Sequence, residues 1–466
     1  MKNWNRRDVL RSLGITAGAG LLLPEIFAAD LQEKSKPLDF SMRHEVLPNP
    51  VTAITLGAGG RGNTYGGYAL SYPGELKIVG VAEPIPYRNN KYAGLHKIED
   101  KYRFDTWEDV FKIHKFADAI IITTPDALHY KPCMIALDMG YDVLLEKPIA
   151  QSIQQCEDIS SKARKLNRIV AVCHVLRYAP YFKKMREVIQ SGEIGEIISI
   201  QHMEPIEHIH MSHSYVRGNW HNSKESTPII LGKSCHDLDI LNWLTGKSCK
   251  SVFAMGDLKW FRKENAPAGS TPRCTDGCAV ESECIFSAQR IYLRERSGWE
   301  WVMDLPDDKS KHDAHIMDRL NTTNYGRCVY NMDNDQPDHY IAAMEYENNI
   351  TVSFSMEAFT SYGGRRTRIM GTLGDIVGDM NTMDIYNYKT RKLKRWDSSN
   401  VQDVENYQNS GHGGGDWRLA HDFVQAVANQ DKNLLVSTVE ESVDSHIIGF
   451  KAEESRKKKK LVYIYK

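Results

Sequence analysis

The run Val51-Thr52-Ala53-Ile54-Thr55-Leu56, followed at once by Gly57-Ala58-Gly59-Gly60-Arg61-Gly62, constrains the fold of this 466-residue chain more than any other stretch. A β-branched apolar run reads as a buried strand, and glycines directly after it let the backbone turn sharply into a helix. Gly57 permits the tight bend, Gly59 lets the backbone approach an anion, and Gly62 allows the helix to pack closely on the strand. Unpaired N–H groups at the helix start then face that anion, which suits a pyrophosphate. A second apolar run, LKIVGVAE, ends in Glu83. That carboxylate falls about 20 residues beyond the glycines, where a ribose diol needs an acceptor. The expected dinucleotide contacts are Gly57, Gly59, Gly60, Arg61, Gly62 and Glu83.

Ahead of this strand the chain opens MKNWNRRDVLRSLGITAGAGLLLPEIFAAD, with paired Arg6 and Arg7, a mildly apolar stretch and small residues at Ala28 and Ala29. That is the layout of a signal read by the twin-arginine machinery, which exports folded proteins. Residues 1–29 are expected to be this signal peptide, 30–50 an arm or linker, and the destination the periplasm. The apolar stretch is too short and too rich in glycine for a membrane span. Export after folding suits a protein that must acquire its nucleotide in the cytoplasm. The formal net charge of −1 gives no reason to expect nucleic acid or an anionic membrane surface as partner.

The first part of the chain alternates as βαβ units do, with strands expected at 51–57, 77–83, 118–123 and 142–145, and RIVAVCH ending at His174. From about Ile197 the pattern changes to longer alternating runs: ISIQHMEPI, ESECIFSAQ, YIAAMEYE, ITVSFSMEAF and TRIMGT. The fold class is therefore α/β. A parallel-sheet, dinucleotide-binding domain over 51–174 precedes an α/β domain over 175–466, which is built on a large, mostly antiparallel sheet. A polar insertion lies at about 260–330, and the broad sheet face is expected to find a second copy of the chain as partner.

Three segments at element ends carry the chemistry. Thr124-Pro125-Asp126-Ala127-Leu128-His129 follows the third principal strand and Glu146-Lys147-Pro148 the fourth, both at the carboxyl edge where such sheets bind ligands. Thr124, Pro125, His129, Glu146 and Lys147 are thus candidate cofactor contacts, and Lys147 can also reach a substrate hydroxyl or share in proton transfer. The third segment, LGKSCHDLD, leads into ILNWLTG; His236 and Asp239 stand three apart, on one face of a helical start. An imidazole beside a carboxylate suits a general base that removes an alcohol proton while hydride leaves the carbon. Lys147, His236 and Asp239 are the expected catalytic residues.

A second polar group precedes that site. HMEPIEHIHMSHSYVRGNW offers Glu204, His208, His210, His213, Arg217, Asn219 and Trp220 as polar contacts and a stacking surface for a polyol; His208 and His210 are expected on one strand face, where a metal ion is the alternative occupant. Arg177 and Tyr178, Lys233, and His412 in the loop GHGGGDWRLAHDF complete the expected substrate wall.

GAGGRG, TPDALH, EKP and KSCHDLD, in this order and spacing, make everything after Pro50 resemble the glucose–fructose oxidoreductase / inositol dehydrogenase / rhizopine-catabolism (Gfo/Idh/MocA) family of oxidoreductases. The resemblance implies a Rossmann domain joined to an open-faced sheet that carries the substrate site and often the oligomer contact. It implies that Lys147 contacts substrate, that His236 is the acid/base and that Asp239 is the carboxylate beyond it. One departure stands out: many members have an aspartate four before the histidine, and here that position is Gly232, followed by Lys233. The usual Asp–His relay is therefore in doubt, and Asp239, Lys147 or Lys233 must assist His236, unless the base is another residue.

The resemblance also sets the reaction classes: reversible oxidation of a sugar, glycoside or cyclitol hydroxyl, or glycoside hydrolysis by transient oxidation and elimination with no net redox change. Glu83 favours NAD over NADP by repelling a 2′-phosphate, although Arg61 and Arg88 could pair with one.

Of the nine cysteines, Cys133, Cys156, Cys173, Cys235 and Cys249 lie among apolar residues and read as buried thiols. Cys274, Cys278 and Cys284 fall instead in a polar, Gly/Pro-rich insertion that needs a staple, and Cys328 could join them. The alternatives are a structural Zn²⁺ site of four thiolates, a disulfide with one or two free thiols, or no bond.

Overall fold

β1 (Val51–Leu56) is buried along almost its whole length, as a central parallel strand covered on both faces must be. The computed structural model describes residues 42, 44, 47–401 and 411–465. The expected signal peptide and most of the arm lie outside the described residues. After β1 come α1 (Gly60–Ser71), β2 (Leu76–Ala82), α2 (Pro86–His96), β3 (Arg103–Phe104), α3 (Trp107–Val110), β4 (Ala119–Ile122), α4 (Tyr130–Asp138), β5 (Asp142–Leu145), α5 (Ile153–Lys165) and β6 (Val170–Val172). The six strands form one sheet in the order β3-β2-β1-β4-β5-β6, with every pairing parallel. The order reverses between β1 and β4, so a crevice opens beyond their carboxyl ends.

After α6 (Pro180–Gln190) the chain enters a second sheet. Its elements are β7 (Ile197–Pro205), α7 (His208–Met211), α8 (Ile229–Gly232), α9 (Cys235–Thr245), β8 (Cys249–Asp257), α10 (His312–Thr322) and the strands β9 (His339–Tyr346), β10 (Thr351–Glu357), β11 (Arg366–Gly371), β12 (Gly374–Gly378), β13 (Thr382–Asn387) and β14 (Lys392–Asp397). The chain closes with α11 (Gly411–Asn429), α12 (Val439–Lys458) and β15 (Val462–Tyr463). The nine strands lie in the order β14-β13-β12-β11-β7-β10-β9-β8-β15, and only the β7–β10 pairing is parallel. Side chains of β9 alternate between buried and exposed, so one sheet face packs under helices while the other is open. α9 and α12 lie on the covered face, where Leu238, Leu241, Ile447 and Ile448 join the main core with Val252 and Val352.

One expected strand is absent. ESECIFSAQ forms turns and the start of a π-type helix at Gln289–Arg294, because it lies in the insertion between β8 and β9 and pairs with no strand. This insertion has its own small core, in which Ile291, Tyr292, Met303, Ile316 and Leu320 are buried.

Candidate active site

The glycine turn is built as a backbone cradle. Gly57 sits at φ +91°, and a Cβ there would come 2.8 Å from the Thr123 carbonyl oxygen. A Cβ on Gly62 would fall 2.2 Å from the Gly57 oxygen, so glycine is required where α1 crosses β1. Around Gly59, by contrast, a Cβ would meet only Arg88 Nη1 at 3.8 Å, which leaves the backbone open to a ligand. α1 begins without a side-chain cap and without an acidic residue in its first turn, so its N–H groups remain available to an anion. Glu83 sits at the end of β2 and accepts from Ala58 N at 2.8 Å and Ile85 N at 2.9 Å, which fixes its carboxylate beside the turn.

Arg61 is engaged by two carboxylates. Its Nε lies 2.5 Å from Glu146 Oε1, and its Nη2 lies 2.9 Å from Asp416 Oδ1. Although burial opposes it, Arg61 keeps Glu146 below the usual carboxylate range; His412 and Arg61 do the same for Asp416. Arg88 is paired with Asp304 at 2.7 Å. Both arginines that could have met a 2′-phosphate are thus already held by carboxylates. Thr124 Oγ1 closes its own turn onto the Leu128 carbonyl, and the His129 ring nitrogens lie 2.7 Å from the Pro148 oxygen and 2.9 Å from the Thr124 oxygen. His129 therefore ties the two loops together, and Pro125 starts the turn between them.

Lys147 and His236 meet across the domain junction. Lys147 follows β5, and its Nζ donates to the Gly232 carbonyl at 3.1 Å while standing 5.9 Å from the Trp220 ring. Gly232 ends α8, four residues before His236 in the first turn of α9. Both ring nitrogens of His236 are buried without a hydrogen-bond partner. Burial, with Lys147 and His412 nearby, holds its imidazole well below the ordinary histidine range, so it is neutral and able to accept a proton. The His412 ring lies 5.4 Å away by centroid, held by Asp416.

Asp239 is not the partner of His236. Arg177 grips it with two bonds of 2.7 Å, Nε to Oδ2 and Nη2 to Oδ1, and Ser445 adds a third contact. Arg177 also reaches the Val436 carbonyl, and the Tyr178 hydroxyl packs on Ser437, so both residues tie domains together instead of lining a substrate wall. Arg217 is likewise buried elsewhere, donating to the carbonyls of Arg327 and Phe286 and to Cys274 Sγ. His208 and His210 do not share a strand face, because β7 stops at Pro205 and they lie on the short α7. His208 pairs with Glu207, and His210 packs at a tilt on Trp299 with ring centroids 4.7 Å apart. Asn219 is exposed at the end of that segment.

Lys233 and Glu204, both singled out in the sequence, join a buried chain of charges whose other members, His202, Asp237 and Arg365, sequence reasoning missed. Its Nζ lies 3.2 Å from Glu204 Oε1; Arg365 bridges Glu204 at 2.9 Å and Asp237 at 2.6 Å; His202 Nε2 lies 3.0 Å from Asp237. Trp220 donates from Nε1 to Asp126, which also accepts from Ser226 and Thr227. The pair Trp299 and Trp301 was missed as well. Trp301 Cζ3 lies 3.0 Å from the position of a Cβ on Gly60, so the insertion lies over the first turn of α1. Tyr87, donating to the Leu305 carbonyl at 2.7 Å, and the Arg88–Asp304 pair fasten it there. Two tryptophans in the polar run SGWEWVMD were the available signal.

Comparison with known proteins agrees with this architecture. Residues 52–174 match a family model described as oxidoreductase family, NAD-binding Rossmann fold, and residues 186–464 match one described as oxidoreductase family, C-terminal alpha/beta domain. The chain is 25% identical over 369 residues to YteT of Bacillus subtilis, covering 74% of this chain and 82% of that protein. It is 28% identical over 221 residues to the Bacillus subtilis scyllo-inositol 2-dehydrogenase (NAD(+)), covering 45% of this chain and 58% of that one. Among solved structures, scyllo-inositol dehydrogenase from Lactobacillus casei with bound NAD(H) and scyllo-inositol superposes with a TM-score of 0.60 at 17% identity, covering 90% of this chain and all of that one. Levoglucosan dehydrogenase in complex with NADH and levoglucosan gives a TM-score of 0.63 at 15% identity, covering 90% of this chain and 100% of that one.

Proposed function

The chain belongs to the Gfo/Idh/MocA oxidoreductase family, and on that premise we propose that it oxidises a ring hydroxyl of a sugar, glycoside or cyclitol, with His236 as general base and Lys147 as the group that holds the reacting oxygen. The observation that carries this reading is His236: a buried, neutral imidazole whose two nitrogens have no partner, beside Lys147 at the carboxyl edge of the sheet. A buried polar ring left unpaired costs stability unless something binds it in use.

The cradle at Gly57–Gly62 and the Glu83 carboxylate would hold the dinucleotide, which supplies the hydride acceptor when bound. NAD is favoured over NADP because Arg61 and Arg88 are engaged by Glu146, Asp416 and Asp304. The Lys147 ammonium donates to the substrate oxygen while keeping its bond to the Gly232 carbonyl; His236 takes the hydroxyl proton as the carbon is oxidised. Trp220, His412 and Lys233 stand where a polyol entering between the domains would meet them. Asp239 acts at a distance by fixing Arg177 and the start of α12.

Relatives named D-glucoside 3-dehydrogenase in Escherichia coli and inositol 2-dehydrogenase in Corynebacterium glutamicum support this substrate class. A second reading, glycoside cleavage through transient oxidation, gains support from the insertion that fastens Trp301 over α1, which suits a nucleotide retained through a closed cycle. We assign the twin-arginine start to export into the periplasm and the open face of the nine-stranded sheet to contact with another copy of the chain. The discriminating experiment incubates purified protein with a panel of cyclitols, sugars and aryl glycosides without an added acceptor. Stoichiometric appearance of reduced-nicotinamide absorbance supports the dehydrogenase. Catalytic aglycone release supports the second reading, and neither outcome in protein loaded with NAD rejects both.

A further inference from the structure

Outside the cleft, the insertion gathers Cys274, Cys278, Cys284 and Cys328 around a single cavity, which Arg217 and Tyr330 also line. An antiparallel bridge between Arg273 and Arg327 sets Cys274 beside Cys328, with Cys274 N bonded to the Gly326 oxygen and Cys328 N to the Pro272 oxygen, each at 2.9 Å. Cys278 and Cys284 close the ring from a compact turn in which Cys284 N donates to the Val280 oxygen at 3.0 Å. All four are free of disulfides.

A backbone donor and a buried cation face this ring of sulfurs. The backbone N–H of Ala288 donates to Cys274 Sγ at 3.4 Å. Sulfurs that carry negative charge and bind metal are held by such N–H···S contacts. Arg217 reports the same charge independently. It is 1% exposed, donates from Nη2 to Cys274 Sγ at 3.6 Å, and leaves Nη1 without a partner. Among the described residues it has no carboxylate partner, and a buried guanidinium without a counter-charge is costly. An anionic thiolate centre in the cavity offsets that cost.

Spacing decides what kind of centre fits. No three of these sulfurs lie within 4.8 Å of one another. A single zinc with Zn–S bonds of about 2.3 Å needs sulfurs only ~3.8 Å apart. The wider spacing of the four sulfurs around one cavity suits an inorganic core of several atoms. We propose that Cys274, Cys278, Cys284 and Cys328 ligate an iron–sulfur cluster, with Arg217 as its buried counter-charge. The cluster staples the insertion beside its small core and so braces the cleft. Arg217 shares the Ser212–Arg217 helix with His213, which packs on Trp299 at 4.4 Å.

The test is metal and acid-labile sulfide analysis of full-length protein, purified anaerobically from iron-replete cells, with visible absorption and electron paramagnetic resonance after dithionite reduction. The proposal expects iron and sulfide in equal amounts, ~2 or ~4 of each per chain, and a bleachable visible band. Cys278→Ser and Cys328→Ser should lose both, while Cys249→Ser keeps them. One zinc per chain without sulfide overturns the proposal, as does metal-free protein, whether its four cysteines are reduced or joined in a disulfide. The wild-type analysis stands even if a cysteine variant fails to fold.

Discussion

Arg61 Nη2 lies 2.9 Å from Asp416 Oδ1, joining the glycine turn to α11 across 355 positions of the chain. The same guanidinium meets Glu146 and the Tyr65 hydroxyl, so one side chain locks α1, the loop after β5 and α11 into one block. Asp416→Ala removes one of its two carboxylates and leaves His412 unanchored. Breaking a buried ion pair costs about 3–5 kcal/mol, and the 30% exposure of Arg61 reduces this to about 2 kcal/mol. Urea denaturation should show that loss, and Asp416→Asn, which retains hydrogen bonding, should lose less. A wild-type midpoint in the alanine variant would mean the pair does not brace the block.

His236→Asn keeps the size of the side chain and removes the base. Hydride transfer to bound NAD should fall by roughly 10²- to 10⁴-fold, the usual contribution of a positioned general base. Because burial keeps His236 neutral far below its ordinary range, the wild-type rate of oxidation should show no acid limb near pH ~6.5. Single-turnover absorbance across pH reads both effects. A limb at ~6.5 that disappears in His236→Asn would show that a solvated imidazole is the base.

Buried histidines also fix the direction of the pH–stability curve. His446 and His213 are both held down at about 3, chiefly by burial. Their folded values lie below the unfolded value of about 6.5, so below that pH the unfolded chain takes up protons that the folded chain refuses. Stability is therefore complete above pH ~6.5 and falls as pH drops toward ~3, by up to about 1.4 kcal/mol per pH unit for each group. Urea midpoints measured at falling pH should trace that slope, and His446→Gln should flatten it. An unchanged slope in that variant would assign the acid sensitivity to other groups.

The parts of this site that were legible in the sequence are those set by local geometry. A glycine at φ +91° against the Thr123 carbonyl is a demand of the turn itself, and the run DVLL is β5 from end to end. Partner choice was not legible, because it depends on which distant element arrives. His236 and Asp239 are three apart on α9 as expected, yet Asp239 turns to Arg177, 62 positions earlier, while His236 faces Lys147 and His412. Arg217 reads as a substrate donor until the insertion folds against it and surrounds it with carbonyls and a cysteine sulfur. In each case a neighbour supplied by the tertiary fold overrode the pattern along the chain.

The insertion's hold on the nucleotide crevice can be tested through Trp301. Its indole is 55% exposed yet lies against Gly60, and the neighbouring Asp304 and the Leu305 carbonyl take Arg88 and Tyr87. An exposed tryptophan kept over a glycine turn contributes little to the core, so its main energetic effect should be on what lies in the crevice. Trp301→Ala should leave the urea midpoint near wild type while speeding release of bound NAD by roughly 10- to 100-fold, as expected when a packed aromatic contact worth about 1.4–3 kcal/mol is lost. Arg88→Ala should act in the same direction by freeing Asp304. The measurement is the rate at which labelled NAD leaves the purified protein into an excess of unlabelled cofactor. Equal release rates in wild type and Trp301→Ala would reduce the insertion to a passive cover and remove its support for a nucleotide retained through the cycle.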